Sequence, residues 1–408
     1  MRRRRLIAVC GAGVVSGCLR VGETAADDGS EPTDEPEESE NEAAGNGSES
    51  ADDDSVEGSE PSSDESDEIT SLDLTPAWDL DLRFRDVFAA DSTFVGRFRL
   101  DTLVRLDPDG TVSWNTDDLS DAYGIQLDPT GTVYEEAIYA GTSGQAGDAD
   151  NARLYAFDPN SGDVQWTDET ATNGTRDLID HYTRIDDCVV YGGQSGGTDN
   201  EQDSVVRALD AETGDELWDD ELGTRFVVGL EGYDGRAFVG TTDEIIVYDA
   251  ETGTEEGTIE LTLGFSGVTY ADETLYAYER VNETVTAVDA NDYETLWQTE
   301  SMTEPLGPSI GDTRFYVGDP AGFVRAYDRS TGERHWESPI DGSVATAPIP
   351  DGDRVWAGSD RGEVIAFAAD TGDLLYKDRF DDEEVAFGVI DDVLLTDAKR
   401  TGYEIREE

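Results

Sequence analysis

From about residue 72 onward the chain alternates between short apolar runs and polar turns. Leu154-Tyr155-Ala156-Phe157, Val355-Trp356-Ala357-Gly358 and Val364-Ile365-Ala366-Phe367 are typical runs, each bounded by Asp, Gly, Thr or Asn. Runs this short, flanked by turn signals, predict strands covered on both faces. The runs follow one recurring phrase: a strand ending in Ala-x-Asp, a tight turn on Thr-Gly or an equivalent, and a second strand carrying Trp. It is clearest at Ala156-Phe157-Asp158 to Gly162 and Trp166, at Ala208-Leu209-Asp210 to Gly214 and Trp218, and at Ala326-Tyr327-Asp328 to Gly332 and Trp336. Weaker copies keep the spacing but lose a member: Leu106-Asp107 to Gly110 and Trp114, Val247-Tyr248-Asp249 to Gly253, Ala287-Val288-Asp289 to Trp297, and Ala366 to Gly372 and Tyr376.

An eighth copy is divided between the two ends of the repeat region. Residues 393–397 and 403–406 read as the second and third strands of a unit whose fourth strand, with its Trp, lies at Pro76-Ala77-Trp78-Asp79-Leu80. Pairing the two ends closes a ring as three strands plus one and removes the open sheet edges an unclosed array would have. The expected fold is an all-β, eight-bladed β-propeller of four-stranded antiparallel blades over residues 71–408.

Each member of the phrase has a structural role. The Asp carboxylate accepts hydrogen bonds from N–H groups of its own turn, and Gly takes positive φ at little steric cost. The small Ala leaves room for the ring arriving from the next strand. Trp78, Trp114, Trp166, Trp218, Trp297 and Trp336 are expected to be docking residues that fasten one blade to the next, and Trp356 falls on an inner strand.

These residues resemble the tryptophan-docking repeat of the quinoprotein family, the pyrroloquinoline quinone (PQQ)-like β-propellers. The resemblance spans about residues 72–408. It implies the propeller fold. For activity it leaves two directions open, since the family holds both PQQ-dependent dehydrogenases and non-catalytic members such as the assembly lipoprotein BamB.

The first residues resemble an export signal. Residues 2–5 are all Arg, residues 6–15 form an apolar stretch too short to span a bilayer, and Val15-Ser16-Gly17-Cys18 resembles a lipobox whose Cys18 is lipidated after cleavage. Arg3-Arg4-Arg5-Leu6-Ile7 also resembles a twin-arginine signal, with Arg2 where Ser or Thr is usual. The expected division is a lipoprotein signal peptide over 1–17, a disordered acidic tether over 18–70 and the propeller over 71–408. The tether is rich in Asp, Glu, Ser, Gly and Pro and has no Lys or Arg between Arg20 and Arg83. Such a chain cannot bury enough apolar surface to fold, and its reach is on the order of 40 Å by square-root scaling. The resulting location is the outer face of the cell membrane, with the lipid at Cys18 as anchor.

Charge changes the picture further. Of 95 acidic residues, 20 fall in 21–70, which leaves 75 against 23 basic residues in 71–408, about −52 for the folded part. That much like charge opposes a compact state in dilute buffer, whereas at molar salt the screening length falls to about 3 Å. Only Lys377 and Lys399 are lysines, beside 26 Arg, a composition resembling surface lipoproteins of halophilic archaea. Nucleic acid and anionic lipid are poor partners for such a surface.

Candidate chemistry is sparse. Cys10 and Cys18 belong to the signal, and Cys188, in Asp187-Cys188-Val189-Val190-Tyr191, reads as a small hydrophobe at a strand start. The PQQ-dependent alcohol dehydrogenases that this ring resembles hold their cofactor against an adjacent Cys-Cys disulfide above Ca²⁺. No Cys-Cys pair occurs here, and only His181 and His335 are available as a histidine base. His181 falls in the first strand of the third blade, and His335 precedes Trp336 on an outer strand. No cofactor is therefore expected.

Two departures from regularity are better functional candidates. Trp114 to Trp166 and Trp166 to Trp218 are both 52 residues apart, and the added length is expected as loops at 143–151 and 194–203. In an up-and-down blade those loops share a face with the blade-to-blade connections, so neighbouring inserts build one raised edge. They carry Asp148, Asp150 and Asn151, then Asp199, Asn200, Glu201 and Asp203. Alternating oxygen ligands are a spacing Ca²⁺ takes, yet neither run follows an EF-hand, so Asp148, Asp150, Asp199 and Asp203 read first as solvated loop acids. Asn46, Asn173 and Asn282 head candidate N-glycosylation sequons.

The leading expectation is a non-catalytic, lipid-anchored, monomeric propeller serving as a scaffold for an exported or membrane protein partner. The alternatives are a PQQ-dependent or other small-ligand enzyme and a polysaccharide- or ligand-sensing module. The charge reading carries its own test. Dialysis from molar salt into dilute buffer should unfold the domain cooperatively by circular dichroism, and full stability without salt would contradict it.

Overall fold

The computed structural model describes residues 71–80, 84–90, 93–98, 102–116, 123–127, 134, 136–143, 152–169, 178–196, 202–261, 267–279, 282–302, 306, 308–380, 387–390, 392–396 and 401–407, all within one compact unit. Among these residues every regular element is a strand, and the strands form eight four-stranded antiparallel blades. Blade one comprises Phe84–Ala90, Thr93–Phe98, Thr102–Leu106 and Val112–Asn115. Blade two comprises Tyr123–Gln126, Ile138–Ser143, Arg153–Phe157 and Val164–Glu169, and blade three Leu178–Ile185, Cys188–Gly196, Gln202–Asp210 and Glu216–Gly223. Blade four runs from Val227–Tyr233 through Arg236–Thr241 and Ile245–Asp249 to Glu255–Ile259, and blade five from Val268–Ala271 through Thr274–Glu279 and Thr284–Asp289 to Thr295–Gln298. Blade six holds Ser309–Ile310, Arg314–Gly318, Phe323–Asp328 and Arg334–Pro339, and blade seven Ile349–Asp351, Arg354–Gly358, Glu363–Ala368 and Leu374–Arg379.

Blade eight is the composite one. Phe387–Ile390, Val393–Thr396 and Thr401–Glu407 come from the C-terminal end, and Leu72–Asp79 adds the fourth strand, with Trp78 opposite Gly402 and Leu72 opposite Glu407. The three-plus-one closure expected from the split repeat is what forms. The first strand of blade eight in turn neighbours that of blade one.

The core is a set of layers between blades. The run Leu154 to Phe157 is buried throughout, as a strand covered on both faces must be. Each fourth strand slips register by one residue beside its docking position, between Ala156 and Phe157 or Ala208 and Leu209, for example. These bulges, with acids such as Asp219, Asp220 and Glu221 alongside, blunt the outer edge against pairing with another chain.

The six expected docking residues all cross to the next blade. The indole Nε1–H of Trp78, Trp114, Trp166, Trp218, Trp297 and Trp336 donates to the carbonyl oxygen of Pro108, Pro159, Ala211, Ala250, Arg329 and Ala369 respectively, at 2.8–3.0 Å. Each ring also lies on the glycine of that same turn. At Gly214, with φ of +73°, a Cβ would sit 2.8 Å from Trp166 Cδ2, so both backbone conformation and clearance demand glycine. Asp210 shapes this turn by accepting from the N–H groups of Glu212 and Thr213 at 3.0 and 2.8 Å. Such N–H bonds hold the carboxyls of Asp158, Asp210 and Asp289 below the usual carboxylate range, and at Asp249 and Asp328 the hydroxyls of Thr252 and Ser330 do so first, with the turn N–H groups adding to them. Trp356 is fully buried on the second strand of blade seven.

Two faces follow from strand direction. One carries the hairpins between first and second strands and the Asp–Gly turns; the other carries the loops between second and third strands and the blade connections. In blade eight the Asp–Gly turn is replaced by a ribbon that pairs Leu72, Asp73, Leu74 and Thr75 with Glu407, Arg406, Ile405 and Glu404. The described chain therefore enters on the turn face, opposite the connection face.

Trp166→Ala should cost about 3–5 kcal/mol, the range for deleting a large buried aromatic, and Gly214→Ala should also destabilise. Chemical denaturation at molar salt measures both, and a loss below about 1 kcal/mol for Trp166→Ala would remove docking from the account.

Candidate interaction face

The two blades with expected inserts share a backbone ladder contact that the other described blades, each a separate sheet, do not show. Ser143, at the end of the second strand of blade two, pairs with Leu178, at the start of blade three, and fuses both blades into one eight-stranded sheet. This contact needs Gly141, whose Cβ would stand 2.0 Å from Ile179 O. At the corresponding positions of later blades, Gly192 and Gly318 receive side chains, from Val227 and Val344, rather than backbone.

The expected loop at 194–203 requires correction. Its flanks are strand: Gln194 pairs with Ser204, Ser195 with Asp203 and Gly196 with Gln202, so the blade-three hairpin simply continues past its neighbours. Ladder hydrogen bonds satisfy the extra backbone more fully than a solvated loop would. Polar composition misled the reading, because Gln, Ser, Asp and Gly signal turns.

Side chains from blade three hold the fused pair together on the way to this edge. Tyr191 OH donates to Asp168 Oδ2 at 2.6 Å, and Arg207 Nη1 lies 3.3 Å from the same oxygen. Asp168 belongs to the fourth strand of blade two, so the trio crosses the joint. Arg207 Nε lies 3.4 Å from Glu216 Oε2, and Arg153 pairs with Glu169 at 2.7 Å. Deeper in the joint, Tyr182 OH donates to Tyr139 O at 3.2 Å and the Arg184 N–H to Tyr134 OH at 2.9 Å, while Arg184 reaches Glu136 at 2.8 Å. Burial pushes the Tyr191 hydroxyl far above its ordinary range, with the Asp168 charge adding to it. This trio was not anticipated. Its one sequence signal is Arg just before the Ala of the phrase, at Arg207 and again at Arg325, which binds Asp319 and Glu337 within blade six.

The remaining candidates scatter. Asp148, Asp150, Asn151, Asp199, Asn200 and Glu201 lie outside the described residues, as do Cys18, Asn46 and Asn173; Asp203 is placed only as a strand residue opposite Ser195. Among the described residues no three of His, Cys, Asp and Glu gather as a metal site. His181 is half-buried beside a register shift in the first strand of blade three, and His335 is exposed with its Nε2 3.1 Å from Arg314 Nη2. Cys188 is free and buried among Ile185, Val190 and Val206, and burial raises its thiol pKa, as befits a packing residue. Asn282 is exposed in a blade-five hairpin, its Nδ2 donating to Glu279 Oε2 at 3.0 Å. The residues present do not fit a quinone held against adjacent cysteines: the chain has no such pair, and Cys188 is enclosed between strands.

Strand order, blade closure and indole docking together define a β-propeller of the PQQ-repeat class. Residues 42–196, 202–308 and 281–394 match the model of the outer membrane protein assembly factor BamB family, and the chain belongs to that family. An outer membrane protein assembly factor BamB of Nitrosomonas eutropha is 23% identical over 194 residues, 43% of this chain and 47% of that protein. The chain thus spans about half the length of that relative. Among solved structures, BamB from Moraxella catarrhalis superposes with a TM-score of 0.60 at 18% identity, over 83% of this chain and 98% of that one. The quinohemoprotein alcohol dehydrogenase of Comamonas testosteroni gives 0.62 at 13% identity, over 80% and 72%. These two likenesses concern the fold alone.

Burial makes alkaline pH a probe of these joints. The hydroxyls of Tyr139, Tyr316 and Tyr327 are pushed up to about 12. Their folded-state pKa lies above the unfolded value of about 10, so the stability they contribute is complete below pH 10 and is lost as pH rises through 12. Phenolate absorbance should show a set of tyrosines silent at pH 11 that titrate only with unfolding. Smooth titration of all tyrosines near pH 10 in a folded protein would refute this.

Proposed function

We propose that this protein is a non-catalytic scaffold, held at the outer face of the cell membrane by lipid on Cys18 and offering one face of its ring to an exported or membrane protein. The observation that carries the reading is the fused pair of blades two and three. Their prolonged hairpin rises on the connection face, while the chain enters the ring on the opposite, turn face. The acidic, Ser- and Gly-rich composition of 18–70 supports a tether between the lipid and the ring. Membership in a family described by an assembly factor supports a protein partner over a small substrate. The strong negative charge favours a partner face that is basic or neutral and disfavours nucleic acid.

The test is capture of the tagged full-length protein from cross-linked membranes in molar salt, followed by mass spectrometry and an absorbance spectrum. A stoichiometric exported or membrane protein, lost when residues 144–151 and 197–201 are shortened, is the expected result. A protein that elutes alone with a chromophore or small ligand would overturn the scaffold reading in favour of a quinoprotein-type enzyme.

A further inference from the structure

Indole docking does not run all the way round the ring. Trp78 fastens blade eight to one, Trp114 one to two, Trp166 two to three and Trp218 three to four; Trp297 fastens five to six and Trp336 six to seven. Among the described residues no fourth-strand indole docks across the joints from four to five and from seven to eight, although Trp356, on the second strand of blade seven, is buried in the apolar cluster that spans the latter.

At the first of these, large and small residues have exchanged sides. Gly257 stands opposite Val247, where Trp218 in blade three stands opposite Ala208. The turn position that is Gly253 in blade four is Tyr293 in blade five, at φ of +65°. Its N–H donates to Asp289 O at 3.0 Å, as that of Gly253 does to Asp249 O at 2.9 Å. The Tyr293 ring reaches back over Gly257, where a Cβ would meet Cε2 at 3.1 Å. The carbonyl of Ala290, equivalent to the indole acceptor Ala250 O, takes its hydrogen bond at 3.0 Å from Arg236 Nη1, which also contacts Tyr293 OH at 3.3 Å. At the second joint Tyr376 stands opposite Ala366, and its ring is half-buried against the apolar cluster shared with blade eight. The turn it would dock on is replaced by the paired chain ends.

We propose that the propeller is two tryptophan-fastened arcs, blades eight-one-two-three-four and blades five-six-seven, and that it opens locally at the two joints between them. Apolar contact closes both joints in the ground state: Tyr233 stacks on Tyr270 at 4.7 Å across the first, and Leu72 and Ile405 share a cluster with Leu375 across the second. What differs is the directional lock. A rigid indole with a fixed donor is replaced at one joint by a ring on a left-handed backbone and a long arginine side chain, and at the other by the smaller ring of Tyr376, which lacks the indole N–H.

The test is hydrogen exchange by mass spectrometry on the full chain in molar salt, comparing equivalent fourth strands. Glu255–Ile259 and Leu374–Arg379 should exchange at least tenfold faster than Val164–Glu169 and Arg334–Pro339. The double variant Gly257→Trp with Tyr293→Gly rebuilds the usual docking pair, and it should slow exchange in Glu255–Ile259 at least tenfold while leaving Leu374–Arg379 unchanged. Equal protection of all four strands in the wild-type protein, or a folded double variant that exchanges no slower than wild type in Glu255–Ile259, overturns the proposal.

Discussion

The contact between an indole and a glycine turn one blade further on is the constraint the rest of this structure depends on. A single blade is a four-stranded sheet with two apolar faces and cannot stand alone in water. Trp166 illustrates how the problem is met: its ring covers Gly214 and its N–H fills the carbonyl of Ala211, so one side chain supplies both area and direction. The turn that receives it is held by Asp210, whose carboxylate bonds the turn N–H groups. Remove the glycine and the indole loses its seat; remove the Asp and the glycine loses its shape. The phrase recurs as a unit because its members are useful only together.

Once docking fixes blade order, the remaining polar groups have assigned places. The many arginines are a case in point. Arg207 reaches Asp168 in the preceding blade, Arg314 reaches Asp370 and Arg354 reaches Asp392 in the following blades, and Arg329 spans Tyr276 OH and the Gly311 and Asp312 carbonyls. A planar fork with several fixed donors suits such crossings better than the compact ammonium of lysine. The preference for Arg over Lys thus has a structural component within the ring, separate from the effect of net charge on solvation.

Much of this was legible in the sequence, and the reasons are specific. The Ala-x-Asp, Gly and Trp spacing lies within some ten residues, so blade identity, turn geometry and the three-plus-one closure through Trp78 could be read locally. Cys188 was legible for the same reason, as an apolar position inside a strand run. The Tyr191, Asp168 and Arg207 trio was not, since its members are 16 to 39 residues apart in sequence and meet only after the blades dock. The prolonged hairpin of blade three was hidden by its own composition. The exchange of Gly257 and Tyr293 was half visible: each copy showed one missing member, but only the register reveals that the two losses complement each other.

That complementarity bears on how the ring works as a surface. A propeller fastened identically at every joint would respond to a partner as one rigid disc. Here the arc from blade eight to blade four contains the chain entry, the fused blades two and three and the prolonged hairpin, while blades five to seven lie beyond joints of different construction. On the proposed two-arc construction, a partner seated on the fused blades would contact residues of a single arc, with Tyr293 and Tyr376 at its borders. The joints where the repeat is broken and the blades where the surface is raised are therefore separate places in the ring.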